Sequence, residues 1–314
     1  MMLMLACLLA AAVVGFAAHQ GGTCGVVAVR RWRVARDARL LMGFAVAGGA
    51  ATLVCLPLAW ALGRGGQLPG NAPLALPLLL GAVLLGTGAL VNGACMVGSL
   101  WRMGNGELHL IGLPLGIVAG DALGRLLGWR VELPPSRFAQ PDGAGLMLVL
   151  AGAVVLMLAG RWLARQGADA RRLAVTMAAM GAAGSLLFVA LPGWSWADVV
   201  NARARAWAGG AAVADTAGLR ATLGTLAGAL ASGWMTGQLH LKWRGWPALG
   251  RSLAGGVLMM LGIGLIPGGN DALLLGSAPA GAATALLAFA LMNLTILLLG
   301  ALPAINRAAP AGRH

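Results

Sequence analysis

Apolar runs long enough to cross a bilayer dominate this chain. A helix crosses the hydrocarbon core with about 20 apolar residues. About nine such runs can be read, at 2–18, 41–62, 73–97, 108–123, 144–162, 173–191, 218–239, 253–275 and 280–302. Hydrophobic residues make up 59% of the 314 residues and charged residues only 10%, where roughly 25% charged is usual for a soluble protein. A soluble globular enzyme, a disordered chain and a coiled coil are thereby excluded. The runs do not alternate with a period of two, so membrane-spanning strands are not expected. Many are rich in Gly and Ala, which suits close helix packing in lipid. The expected fold class is an all-α integral membrane protein.

The formal net charge of +13 could suggest nucleic acid, but its distribution argues against that. The charge is almost all Arg, with Lys242 the single lysine, in short groups between apolar runs. No soluble module is left to bind nucleic acid. Arg30, Arg31, Arg33, Arg36 and Arg39 form one group and Arg161, Arg165, Arg171 and Arg172 a second. Lys242, Arg244 and Arg251 form a third, and Arg307 and Arg313 follow the last run. With nine spans, all four groups fall on one side. The positive-inside rule makes that side cytoplasmic, with the N-terminus outside and the C-terminus inside. The first run lacks a basic flank and a clear cleavage site, so it reads as a retained span. The expected location is a membrane that the chain crosses many times.

Metal-ligand spacing and enzyme motifs are missing. Cys7, Cys24, Cys55 and Cys95 form no C-x-x-C pair and have no His at zinc spacing, so neither a metal site nor a disulfide framework is implied. There is no H-E-x-x-H, no phosphate-binding Gly-rich loop with Lys, no G-x-S-x-G with plausible partners and no paired carboxylates on one helix face. The expectation is a non-enzyme without cofactors and without its own coupling to ATP.

The third run contains Gly86-Thr-Gly-Ala-Leu-Val-Asn-Gly-Ala-Cys95 and the eighth Gly262-Ile-Gly-Leu-Ile-Pro-Gly-Gly-Asn-Asp271. Both place a G-x-G on an apolar helix and then break at small polar residues. Elements five spans apart run in opposite directions. The expected organisation is therefore an inverted repeat: a first half over 1–143, a linking span over 144–163 and a second half over 164–314. Inverted repeats with broken helices mark transporters, whose sites lie where the breaks meet.

Three breaks stand out: His19-Gln-Gly-Gly-Thr-Cys24-Gly, Asn92-Gly-Ala-Cys95-Met-Val-Gly98 and Pro267-Gly-Gly-Asn270-Asp271. Unwound backbone at membrane depth survives only where protein or a water-filled cavity satisfies it. The N-terminus of a half-helix then offers free N–H groups to an anion. The expected substrate path is Gly22, Thr23, Cys24, Asn92, Gly93, Cys95, Gly268, Gly269, Asn270 and Asp271. Cys24 and Cys95 supply weak S–H donors at helix starts. Asp271 is either a buried acid paired with an Arg or a residue of the outer mouth. His19, Gln20 and Arg102 either line a vestibule or mark the interface and its loops. Cys7 and Cys55 read as small apolar fillers. Trp32, Trp60, Trp101, Trp129, Trp162, Trp194 and Trp196 read as interfacial anchors.

At the Gly-Gly-Thr-Cys24 segment, at Asn92-Gly-Ala-Cys95-Met-Val-Gly-Ser-Leu-x-Arg102-Met-Gly-Asn-Gly and at Pro267-Gly-Gly-Asn-Asp271-Ala-Leu-Leu-Leu, the sequence resembles the YeeE/YedE family of bacterial membrane proteins. The resemblance implies helical inverted halves around a narrow path and uptake of thiosulfate or a related sulfur anion. It also implies cysteines that pass the anion by S–H hydrogen bonding, here Cys24 and Cys95. A soluble TusA-like sulfur carrier is an implied cytoplasmic partner. No cysteine follows Cys95, so the thiol relay ends early, and Asn270 and Asp271 stand at the symmetric break. The competing readings are a membrane sulfurtransferase carrying a persulfide on Cys95 or Cys24, and a non-transporting membrane scaffold.

Overall fold

A computed structural model describes residues 2–192, 194–207 and 216–302. Arg307 and Arg313 lie outside the described residues. The chain runs through α1 (Met2–Gln20), α2 (Gly25–Ala35), α3 (Arg39–Ala61), α4 (Leu76–Asn92), α5 (Met96–Gly104), α6 (Gly112–Leu126) and α7 (Gly143–Ala164). It continues through α8 (Ala168–Ala190), α9 (Trp196–Trp207), α10 (Thr216–Met235) and α11 (Trp246–Ile263). Then come α12 (Asn270–Ala272), which winds on in π-helical form through Leu273–Ser277, and α13 (Ala283–Leu299). Extended pairing among the described residues is limited to isolated bridges, Pro69 with Pro135 and Glu107 with Lys242.

Six stretches among the described residues are long and apolar enough to cross a membrane by length and composition. They are Leu3–Ala35, Arg39–Ala61, Leu76–Gly104, Gly143–Ala164, Ala168–Ala190 and Trp246–Ile263. The apolar helix Ala283–Leu299 is shorter. The run read at 253–275 is not one helix, because Pro267 and Gly268, the latter at φ +114°, break it between α11 and α12. Pro cannot donate to the helical ladder, and glycine alone tolerates that φ at little cost.

A short helix stands between two long ones four times, as α2, α5, α9 and α12. The short helix α9 did not stand out in the sequence. The long helices pack α1 on α8 and α10, α3 on α7 and α8, α4 on α11 and α13, and α6 on α11. Small residues set these distances. A Cβ on Gly88 of α4 would lie 2.7 Å from the Gly255 carbonyl of α11, and one on Gly255 equally close to the Gly88 carbonyl. Such close approach is how helices gain packing energy where lipid removes the hydrophobic driving force. The outward face of α7 exposes Leu146, Met147, Leu150, Val154, Met157 and Leu158. That stripe would aggregate in water and is ordinary against acyl chains.

The loops gather at two ends. Residues 105–108 meet 240–242 at one end, through His240 N to Asn105 O (3.1 Å) and Leu108 N to Lys242 O (3.0 Å). At the other, Ala72 N donates to Thr284 Oγ1 at 2.9 Å and Val131 N to the Gly264 carbonyl at 3.0 Å.

Candidate functional site: a thiol junction between broken helices

The glycine-rich breaks bring the starts of three short helices together. Cys24 caps the N-terminus of α2 and Cys95 that of α5, each in extended backbone. Gly93, at φ +78°, ends α4 in the left-handed conformation and turns the chain toward Cys95, as helix C-caps commonly do. Cys24 and Cys95 are fully buried and face each other closely enough for their thiols to interact. Gly98 makes this possible: a Cβ there would lie 2.5 Å from Cys24 Sγ.

Three N–H groups converge on one sulfur. Gly25 N donates to Cys95 Sγ at 3.3 Å, Gly98 N at 3.4 Å and Asn270 Nδ2 at 3.4 Å. Asn270 also accepts at Oδ1 from Met96 N at 3.2 Å, so the third break is tied to the start of α5. Preorganised donors around a sulfur, away from water, are what a negatively charged sulfur atom needs, because they replace its hydration without a fixed countercharge.

The other path candidates lie at varying distances from this junction. Thr23, buried beside Cys24, donates to Met177 Sδ at 3.7 Å. Gly22 is the φ +56° residue of the first turn. Gly268 and Gly269 form the third turn, and a Cβ on Gly269 would lie 2.7 Å from Asp271 Oδ1. Asn92 is spent on structure. Its Nδ2 donates to Ala94 O (2.8 Å) and Ser99 Oγ (2.7 Å), and its Oδ1 accepts from Ser252 Oγ (2.8 Å). That network locks α4, α5 and α11 around the second break. Asp271 lines a small cavity together with Met96. Among the described residues no Arg pairs with it.

The vestibule candidates fall into two clusters, in which His19 and Arg102 are buried and Gln20 is exposed. His19 Nε2 lies 2.7 Å from Asn105 Oδ1 and its Nδ1 2.8 Å from Ser232 Oγ, which also accepts from Gln20 Nε2 at 3.1 Å. These bonds join the ends of α1, α5 and α10. Arg102 donates twice to Glu107, at 2.7 and 3.1 Å, and once to the Gly93 carbonyl at 3.0 Å. Arg244 reaches Glu107 at 3.3 Å. Burial pushes the Glu107 carboxyl up, but Arg102 and then Arg244 outweigh it and hold it below the usual carboxylate range. Arg102 is thus a brace under the Cys95 turn, its guanidinium occupied.

Sequence reasoning missed Asn105 and Ser232, which hold His19, and Trp194 and Trp196, which line the cavity rather than the interface. A Ser195-x-x-Asp198 capping pattern before α9 was the legible signal: Asp198 N donates to Ser195 Oγ at 3.1 Å.

The breaks and the thiol pair fall in a stretch that a known family shares. A family profile described as Sulphur transport matches residues 20–184. The chain belongs to the YeeE/YedE sulphur-transport family. The matched stretch holds both cysteines of the junction and ends within α8, so α9 to α13, with Asn270 and Asp271, lie beyond it. No curated protein matches the chain. Family and apolar helices together make this a multi-pass membrane protein of a transport family.

Proposed function

We propose that the protein takes up thiosulfate or a closely related inorganic sulfur anion through a path that passes Cys24 and Cys95. The observation that carries this is the convergence of three N–H donors on Cys95 Sγ at the meeting point of three broken helices. Thiosulfate is a dianion with one soft sulfur terminus. Thiol and amide donors can hold that terminus weakly at successive stations, and weak multiple binding lets an ion leave as well as arrive.

The inverted halves belong to the same proposal, with nine crossings and the short helices entering from either side. Exchanging α1 to α6 with α8 to α13 supports it, because the packing pairs recur. The pair α3 with α8 becomes α10 with α1, and α6 with α11 becomes α13 with α4. The pair α2 with α13 becomes α9 with α6, and α5 with α10 becomes the α12 π turn with α3. The basic residues Lys242 and Arg244, at the end where 105–108 meet 240–242, favour that end as cytoplasmic in an inner membrane. A TusA-like carrier would receive the sulfur species there.

The test is uptake of labelled thiosulfate into proteoliposomes, with sulfite, sulfate and selenium analogues as competitors. The expected result is saturable uptake by the wild type, competition by sulfane-sulfur anions but not by sulfate, and loss of uptake in Cys95→Ala with folding intact. Normal uptake by that variant overturns the thiol role. A covalent sulfur adduct on Cys95 or Cys24 by mass spectrometry, without flux, would favour the sulfurtransferase instead.

A further inference from the structure

Next to the thiol junction lies a cavity of about 30 Å³ whose wall includes Met96, Trp194, Trp196, Thr225 and Asp271. That is roughly the volume of one water. Two of its polar groups have no role in handling thiols. Among the described residues the indole Nε1 of Trp194 has no hydrogen-bond partner, although Trp194 is only 5% exposed. A buried donor left unpaired costs about 1–3 kcal/mol, which a water or ligand in the cavity would relieve. Asp271 is the second group, and no cation among the described residues lies within ion-pair distance of it.

The charge nearest in effect to Asp271 is another acid, Asp198 on α9. Asp198 accepts a hydrogen bond from Ser195 Oγ at 2.6 Å. It also feels Arg205 on its own helix, Arg130 after α6 and Asp121 on α6. Asp121 is already paired with Arg125 at 3.2 Å and Arg130 at 2.8 Å. Asp271 therefore borders the cavity without a paired cation, one residue along the chain from the Asn270 that holds Cys95.

We propose that this cavity is a proton-coupling station: Asp271 binds a proton there and releases it with each sulfur anion, which makes the protein a proton–anion symporter. The inference rests on the transport reading above. An ionised Asp271 repels a dianion. A protonated Asp271 instead offers an O–H donor, and Trp194 Nε1 adds a second. Anion and proton then bind with positive coupling, and by linkage each raises the affinity for the other. Intramembrane carboxylates serve proton relays for this reason. The balance is simple. Asp271 takes one proton from the solution the anion leaves and gives it to the solution the anion reaches, with no bond to sulfur and no electron transfer.

The experiment uses the full chain in proteoliposomes with a trapped pH dye and labelled thiosulfate outside. Uptake is expected to acidify the lumen, and lowering the external pH by one unit is expected to raise the initial rate severalfold, up to about tenfold for a single proton. Asp271→Asn is expected to abolish the acidification and flatten the pH profile. Trp194→Phe is expected to raise the KM for thiosulfate while leaving the proton ratio unchanged. Uptake by the wild type without acidification, or acidification that survives Asp271→Asn, overturns the proposal. Infrared difference spectra on acidification provide a readout that needs no transport, through a carboxylic C=O band that Asp271→Asn removes. If the wild type moves no thiosulfate at all, the substrate reading fails and that band decides the proton site, its presence upholding Asp271 and its absence overturning it.

Discussion

The four short helices begin in two different chemistries. In the first half, α2 and α5 start at Cys24 and Cys95, neutral and polarisable groups. In the second half, α9 and α12 carry Asp198 and Asp271 in their first turns. A helix N-terminus attracts negative charge. The first half leaves that attraction available to a passing anion, whereas the second half has it answered by a carboxylate of its own. An anion can exchange with a thiol's contacts without moving charge, but it must neutralise or displace a carboxylate. Under the two proposals, the same backbone device serves as a binding station on one side and a proton-dependent one on the other.

Removing the sulfur that collects three donors tests the first half most severely. Cys95→Ala leaves Gly25 N, Gly98 N and Asn270 Nδ2 unpaired, at about 1 kcal/mol or more each. Thiosulfate uptake is expected to fall by a hundredfold or more, while Cys95→Ser, which still accepts, retains part of it; radiolabel flux separates the two. Gly98→Ala acts indirectly. The new methyl collides with Cys24 Sγ and pushes the two thiols apart, so uptake is expected to drop about tenfold with both cysteines still present, and a lowered cross-linking yield between them should accompany it.

Asp271→Cys would make the second half resemble the first. Uptake is expected to change by only a fewfold but to lose its dependence on pH, as measured by initial rates across the neutral range. The Glu107 brace bears on the comparison from outside the path. Glu107→Gln leaves Arg102 and Arg244 facing each other without their anion and is expected to cost roughly 2 kcal/mol, the low side for a buried pair because Arg244 is partly exposed. The pH sign follows from a carboxyl held low in the folded protein. Its contribution is complete above the ordinary carboxylate value and disappears as pH falls through the depressed one. Thermal unfolding in detergent should thus show an acid-side loss in the wild type that Glu107→Gln lacks. The smallest effect is expected from Cys55→Ala. Cys55 is buried among apolar neighbours in α3, with the Gly276 carbonyl 3.9 Å from its sulfur, so uptake should stay within about twofold of wild type.

Much of the fold was legible because lipid imposes one strong rule. Backbone groups must be satisfied inside each span, so long apolar runs are helices. Gly and Pro clusters in such runs, as at Gly21-Gly22, Gly93 and Pro267-Gly268, announce breaks. The break before α9 was missed because Trp194 and Trp196 read as interfacial anchors. That reading is sound for a Trp at a span end, and here it was overridden by packing around a cavity. Asn92 and Arg102 were legible as polar residues near the second break. Their roles were not, since only the fold shows that Ser99, Ser252 and Glu107 occupy their hydrogen-bonding groups.

By itself the sequence determined that the long apolar runs are helical, where three of them break, and that Cys24, Cys95 and Asn270 stand at those breaks, because propensity and hydrophobicity act over a few neighbouring residues. Only the tertiary structure decided that the three stops meet on one sulfur atom while Asp271 lines a small cavity with Met96 and Trp194. Those contacts join residues as far apart as 25 and 95, or 95 and 270. They are set by how closely the small residues of the long helices let them pack, which no local pattern encodes.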